Sequence, residues 1–118
     1  MIHILNKENT ILNKFIAQIR DKRVQGDSMR FRRNLERIGE ILSYEISKTL
    51  NYKTEIVPTP LGEAAVEMIG DDIVVATILR AGLPLHQGFL NYFDDANNAF
   101  VSARTRNQIT PGLEAEKI

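Results

Sequence analysis

One stretch limits what this chain can fold into more than any other: Ile73-Val74-Val75-Ala76-Thr77-Ile78-Leu79, an unbroken run of apolar and β-branched residues. It is too short to cross a bilayer, and its composition predicts a strand buried on both faces, as in a parallel sheet. The run ends at Arg80. Ala81-Gly82 follows, small enough to let backbone N–H groups approach a ligand, and then Leu83-Pro84, where the proline suits the first turn of a helix because its missing N–H would have no partner there. The order is therefore strand, tight loop, helix. Ligands of open α/β sheets sit at the carboxyl ends of the strands, and a helix start offers free N–H donors and partial positive charge to an anion. Arg80 adds a permanent charge and a planar fork of donors that matches a phosphate.

The remaining pattern places elements around this unit. Ile2, His3 and Ile4 read as a short extended arm. Asn9 or Thr10 caps a helix with an apolar stripe at Ile11, Leu12, Phe15, Ile16 and Ile19. A longer helix is expected over 28–50, capped by Asp27 or Ser28. In it Phe31, Leu35, Ile38, Leu42 and Thr49 share a narrow band, while Arg32, Arg33, Glu36 and Glu40 point away. Gly39 lies within that helix at a cost of about 1 kcal/mol relative to alanine, which predicts the close approach of another element. Glu45 falls near the apolar band and needs a cation, backbone donors or a place at the edge of the buried strip. Tyr52–Pro58 favours a strand, Pro60-Leu61-Gly62 a turn, and Glu63–Met68 alternates as a second strand of a hairpin arm or, alternatively, forms a short helix. After a helix over 84–93, Ala99–Ala103 makes a second strand, parallel to the first because a helix connects them. The tail 104–118 shows no sustained periodicity.

Charge and composition exclude several functions. Fifteen basic and fifteen acidic side chains cancel, so no global field draws nucleic acid or membrane. With no cysteine, disulfides, thiolate catalysis and Cys-ligated metals are ruled out, and His3 and His86 have no partner at ligand spacing. No stretch approaches the length of a membrane span and the start has no leader pattern, so a cytoplasmic location is expected. The segment Arg20–Arg33 carries six basic and two acidic residues, a local excess that could touch RNA, but with no aromatic platform beyond Phe31 it reads first as a solvated helix start.

The segments FRRNLERIGEILSYE, TPLGEA and ILRAGLPLHQGFLNYF, in that order, resemble the first half of a uracil phosphoribosyltransferase over about residues 8–103. The resemblance implies an α/β fold of the phosphoribosyltransferase type, incomplete here. It also implies that 1–103 is the N-terminal part of a single phosphoribosyltransferase domain, whose complete enzyme transfers phosphoribosyl from phosphoribosyl pyrophosphate (PRPP) to uracil with magnesium bound through PRPP. It further implies that Arg80, with Ala81 and Gly82 as backbone donors, contacts the pyrophosphate, that Arg104 or Arg106 supplies a second arginine, and that members are dimers. No residue is assigned as a catalytic group. His86 invites a general-acid role but reads first as a packing histidine, and Tyr44-Glu45 matches a Tyr-Glu pair of the family and reads as structural.

The sequence departs from that family in lacking the later acidic strand end with its Thr/Gly/Ser-rich loop for the 5′-phosphate. Asp71-Asp72 and Asp94-Asp95 stand in the wrong context for it. The isolated chain is therefore expected not to turn over. The alternative is a non-catalytic module that self-associates, pairs with a complementary half through an exposed strand edge, or binds RNA.

Overall fold

The computed structural model describes residues 2–102, so Arg104 and Arg106, like the rest of the expected tail, lie outside the described residues. The order is α1 (Leu12–Arg20), α2 (Ser28–Ser47), β1 (Tyr52–Thr59), β2 (Gly62–Ile69), β3 (Val74–Leu79), α3 (Leu83–Tyr92) and β4 (Asn97–Ser102), preceded by a single 3-10 turn at Leu5–Lys7. This is the expected α/β arrangement: an antiparallel hairpin β1–β2 and a parallel pair β3–β4 joined through α3.

Both N-terminal helices start where side-chain oxygens can satisfy orphan amides. Thr10 Oγ1 accepts from the Leu12 N–H at 3.2 Å, whereas Asn9 is engaged with the Asn13 side chain. The Asp27 carboxylate accepts from the Arg30 N–H at 3.1 Å. The second helix is shorter than expected. It stops at Ser47, and Lys48–Leu50 turn away through i→i−3 bonds, which leaves Thr49 exposed rather than in the buried band. Glu45 finds its cation in Lys48, 3.1 Å away.

The helices meet through glycine. A Cβ added at Gly39 would stand 2.6 Å from the Leu85 carbonyl oxygen, and one added at Gly88 would overlap the Glu36 carbonyl. The two backbones thus pack directly against each other, which is the close approach that the glycine in α2 predicts. The fully buried residues of α2 are consequently Asn34, Gly39 and Ser43, and the expected apolar band at Phe31, Leu35, Ile38 and Leu42 is only half-buried. Asn34 is satisfied by Gln18 at 2.8 Å and Arg37 at 3.1 Å, and the Ser43 hydroxyl donates to the Gly39 carbonyl at 2.8 Å. Glu36 and Glu40 do not point away, because both accept from the Asn91 amide of α3, at 2.7 and 2.9 Å.

The central strand corrects a second expectation. Its burial alternates instead of covering both faces: Val75 is 8% exposed, while Val74 and Ile78 are 60% and 61% exposed. The physical reason is layering. Helix α3 covers the face carrying Val75, Thr77 and Leu79, and among the described residues nothing covers the opposite face. The hairpin spans Tyr52↔Ile69 to Thr59↔Gly62 about a two-residue turn at Pro60-Leu61, so Glu63–Met68 is strand and not helix. Pro58 is tolerated because β1 has a single strand neighbour among the described residues. No helix among the described residues is long and apolar enough to cross a membrane.

Candidate functional site

At the carboxyl end of β3 the chain folds back on itself within four residues. The Gly82 N–H donates to the Ile78 carbonyl at 3.1 Å, the Leu83 N–H donates to the Arg80 carbonyl at 3.1 Å, and the Leu79–Arg80 peptide bond is cis. Helix α3 starts immediately, with Pro84 in its first turn as expected. Gly82 is required here for space. A Cβ at this position would overlap the Thr77 hydroxyl and come within 2.9 Å of the Ile78 carbonyl. Since its N–H is already engaged, Gly82 acts in this conformation as a spacer and not as a free donor to a ligand. The Arg80 and Ala81 N–H groups donate to no described backbone carbonyl.

Arg80 is exposed at the tip of the strand and is paired with no described carboxylate. Beside it, an open depression of about 460 Å³ is lined by Ile78, Ala81, Gly82 and Val101. The parallel register sets Leu79 against Ser102, so both strands end at the same end of the sheet. The positions of Arg104 and Arg106 themselves lie outside the described residues.

His86 faces inward, 5% exposed, on the sheet side of α3. Its Nε2 lies 2.7 Å from Asn98 Oδ1, and its ring lies 5.0 Å from that of Phe100. Its Nδ1 has no partner among the described residues. The histidine is held in the packing between helix and sheet. The sequence offered no sign of Asn98 as its partner, because that contact depends on the register of two strands separated by a helix.

Of the acidic candidates, Asp71 is engaged in structure. Asp71 accepts from the Asn51 backbone N–H at 2.8 Å and from its side chain at 3.1 Å, bonds that hold its carboxyl below the usual range and tie the base of the hairpin. Hydrogen bonding by Asn91 lowers the Glu36 carboxyl, with burial opposing and Arg33 assisting. Within the basic segment, Arg23, Arg30 and Arg33 are each paired with an acid, namely Asp21, Asp27 and Glu36. Asp21 and Asp27 already count within the segment, so Glu36 alone offsets part of its basic excess. Among the described residues no group of three His, Asp or Glu side chains is gathered as a metal site.

The chain is similar to known proteins along its length. The family model described as uracil phosphoribosyltransferase matches residues 6–118. A uracil phosphoribosyltransferase of Porphyromonas gingivalis is 55% identical over 103 residues, which is 87% of this chain and 47% of that protein. One from Pyrobaculum arsenaticum is 39% identical over 95 residues, 79% of this chain and 44% of the relative. A solved protein structure from Aquifex aeolicus superposes with a TM-score of 0.74 at 25% identity, covering 100% of this chain and 54% of its own. Spanning about half the length of the curated relatives it matches, and carrying the strand, loop and helix described above, the chain belongs to the uracil phosphoribosyltransferase family.

Proposed function

We propose that this chain supplies the pyrophosphate-holding part of an enzyme that transfers phosphoribosyl from PRPP to uracil. In that reaction the bond from ribose C1′ to a pyrophosphate oxygen breaks and a bond from C1′ to N1 of uracil forms. The N1 proton is lost and uridine monophosphate and pyrophosphate are released. The carrying observation is the exposed Arg80 at the tip of β3, one residue from the open Ala81 amide and beside the start of α3. A guanidinium and an amide set on a strand end stabilise charge that grows on the departing pyrophosphate without reorganising during the step. Magnesium would arrive on the oxygens of PRPP. The cytoplasm is the expected setting, and a homo-oligomer the expected form. Arg106 or Arg104 is the second guanidinium of the proposal.

In this reading the 118-residue chain binds the leaving group but does not complete the reaction, because its sequence contains no Thr/Gly/Ser-rich phosphate loop after an acidic strand. Two measurements test it. Calorimetric titration with pyrophosphate should show binding that is lost in Arg80→Ala, with an unchanged far-ultraviolet spectrum. Uracil-dependent formation of uridine monophosphate should be undetectable. Binding that survives removal of Arg80 overturns the assignment of the site, and turnover by the pure chain overturns the claim of incompleteness.

A further inference from the structure

Helix α3 carries the loop at the tip of β3, and its first turn is short of anchors. Gly82 caps it without a side chain, Pro84 has no N–H to give, and an open groove of about 390 Å³ lies between Leu83 and Pro84 on one side and Met29 and Arg33 of α2 on the other. The contacts with α2 lie further along, from the Leu85 carbonyl to Asn91. On the sheet side the anchor is His86. Its backbone N–H donates to the Gly82 carbonyl at 2.9 Å, which closes the first turn on the loop, and its ring reaches β4, where Asn98 and Phe100 stand two residues apart on one face. Among the described residues, the contact of Nε2 with Asn98 Oδ1 is the one side-chain hydrogen bond between α3 and the sheet. Nδ1 has no partner among the described residues, so the polar link of the ring runs through Asn98 alone.

We propose that His86 is a positioning residue for the pyrophosphate loop, which it joins to β4. The path runs from Asn98 through the ring and backbone of His86 to the Gly82 carbonyl, and from the Gly82 N–H to the Ile78 carbonyl, so the segment from Arg80 to Gly82 is held between two strands. Burial separates this role from a catalytic one. The ring is 5% exposed beneath α3, beside Val75, Leu85 and Phe89, and it does not reach a substrate at the strand tip. Released from Asn98, the first turn of α3 can tilt into the open groove at Leu83 and Pro84, and the loop then visits positions in which the Arg80 guanidinium and the loop amides no longer converge on one anion. Binding must select the competent position, and affinity falls by the fraction of molecules that hold it. The inference rests on the pyrophosphate reading of Arg80, whereas the path of contacts stands on the geometry alone.

Three variants of the whole 118-residue chain test this. His86→Leu keeps an apolar side chain in the layer and removes the polar link, His86→Gln supplies an amide that both donates and accepts and so can meet Asn98 in either orientation, and Asn98→Ala removes the partner at an exposed position. Pyrophosphate affinity is read by calorimetry at a temperature where each variant is folded, and the Ala81 and Gly82 amide signals are read by NMR without ligand. His86→Leu and Asn98→Ala should each bind about fivefold more weakly, the worth of one neutral hydrogen bond. Asn98→Ala should also shift both loop signals, although Asn98 pairs with Val75, well short of the strand end. Combining His86→Leu with Asn98→Ala should weaken binding no further than either alone, and His86→Gln should recover most of the affinity. A role in packing alone would lower stability and leave the affinity and the loop signals unchanged, and that result overturns the proposal. So does a loss of affinity that simply adds up in the double variant. Should His86→Leu fail to fold, Asn98→Ala decides by the same two readings. A parent chain that binds no pyrophosphate while Asn98→Ala still shifts the loop signals upholds the positioning contact and counts against the pyrophosphate reading instead.

Discussion

Adding one methyl group at Gly39 tests the packing that positions the whole site. In Gly39→Ala the new Cβ would stand 2.6 Å from the Leu85 carbonyl and 3.1 Å from the Gly88 Cα, where ordinary contact begins at 3.4 Å. Both obstacles are backbone, so no side chain can swing aside, and α3 must move away from α2. Overpacking of this kind costs about 1–3 kcal/mol. The substitution also removes a glycine from a helix interior, which returns about 1 kcal/mol. A backbone oxygen at 2.6 Å puts this contact in the upper half of that range, so the net expectation is a loss of about 1–2 kcal/mol, or a fall in Tm of about 4 °C or more for a chain of this size. The displacement should also loosen the Asn91 bonds to Glu36 and Glu40, which span the same two helices. The assay is urea unfolding followed by circular dichroism, with Gly26→Ala as control because a Cβ there meets nothing within 4 Å. That control should be neutral or slightly stabilising. Combining Gly39→Ala with Gly88→Ala should cost less than the two separately, since helices already parted by one methyl accommodate the second. A Gly39→Ala protein as stable as its parent would refute direct contact between the two backbones.

Further outcomes follow from single contacts. Asp27→Ala removes the acceptor for the Arg30 N–H and should cost about 1 kcal/mol in chemical denaturation, while Asp27→Ser should retain most of it. The Glu36 carboxyl lies below its ordinary value of 4.5 chiefly because Asn91 donates to it. The folded state therefore binds the proton less readily than the unfolded one, so this stabilisation is present above pH 4.5 and is lost as the pH falls through the folded value. In Asn91→Leu, stability should fall less steeply between pH 5 and 3, and an unchanged slope would remove Asn91 as the cause. Arg80→Lys should bind pyrophosphate more weakly than the parent but better than Arg80→Ala, because an ammonium keeps the charge and loses the fork. Equal binding by lysine and arginine would show that charge alone is read at this position.

Local signals carried much of the fold and little of the site. Pro84, Gly82 and the β-branched run announced strand, loop and helix, because each acts through its own backbone preferences. The hairpin was legible for the same reason, in Pro60 and the alternation after it. The helix–helix crossing was half legible. Gly39 showed that something comes close, but that its counterpart is Gly88, with Glu36 and Glu40 turned towards Asn91, depends on a pairing between elements some fifty residues apart. The engagement of the Gly82 N–H by Ile78 and of His86 by Asn98 was hidden likewise, since both arise from the fold of a loop and the register of strands.

The exposure of Val74 and Ile78 is the most informative disagreement between pattern and structure. A strand with one wet face alternates, as Glu63–Met68 does, and Ile73–Leu79 does not. Its outward residues are valine, alanine and isoleucine, yet water is what they meet among the described residues. Leaving such side chains in water forfeits about 1.5–3 kcal/mol for each large one that burial would otherwise contribute. The reading of β3 as buried on both faces was therefore a reading of the environment its side chains suit, and the structure shows the part of that environment which α3 supplies. Because Ile78 is 61% exposed, Ile78→Lys should change the stability of the chain by no more than about 0.5 kcal/mol in urea unfolding. A loss of several times that would show that the face carrying Ile78 is packed and not open to water.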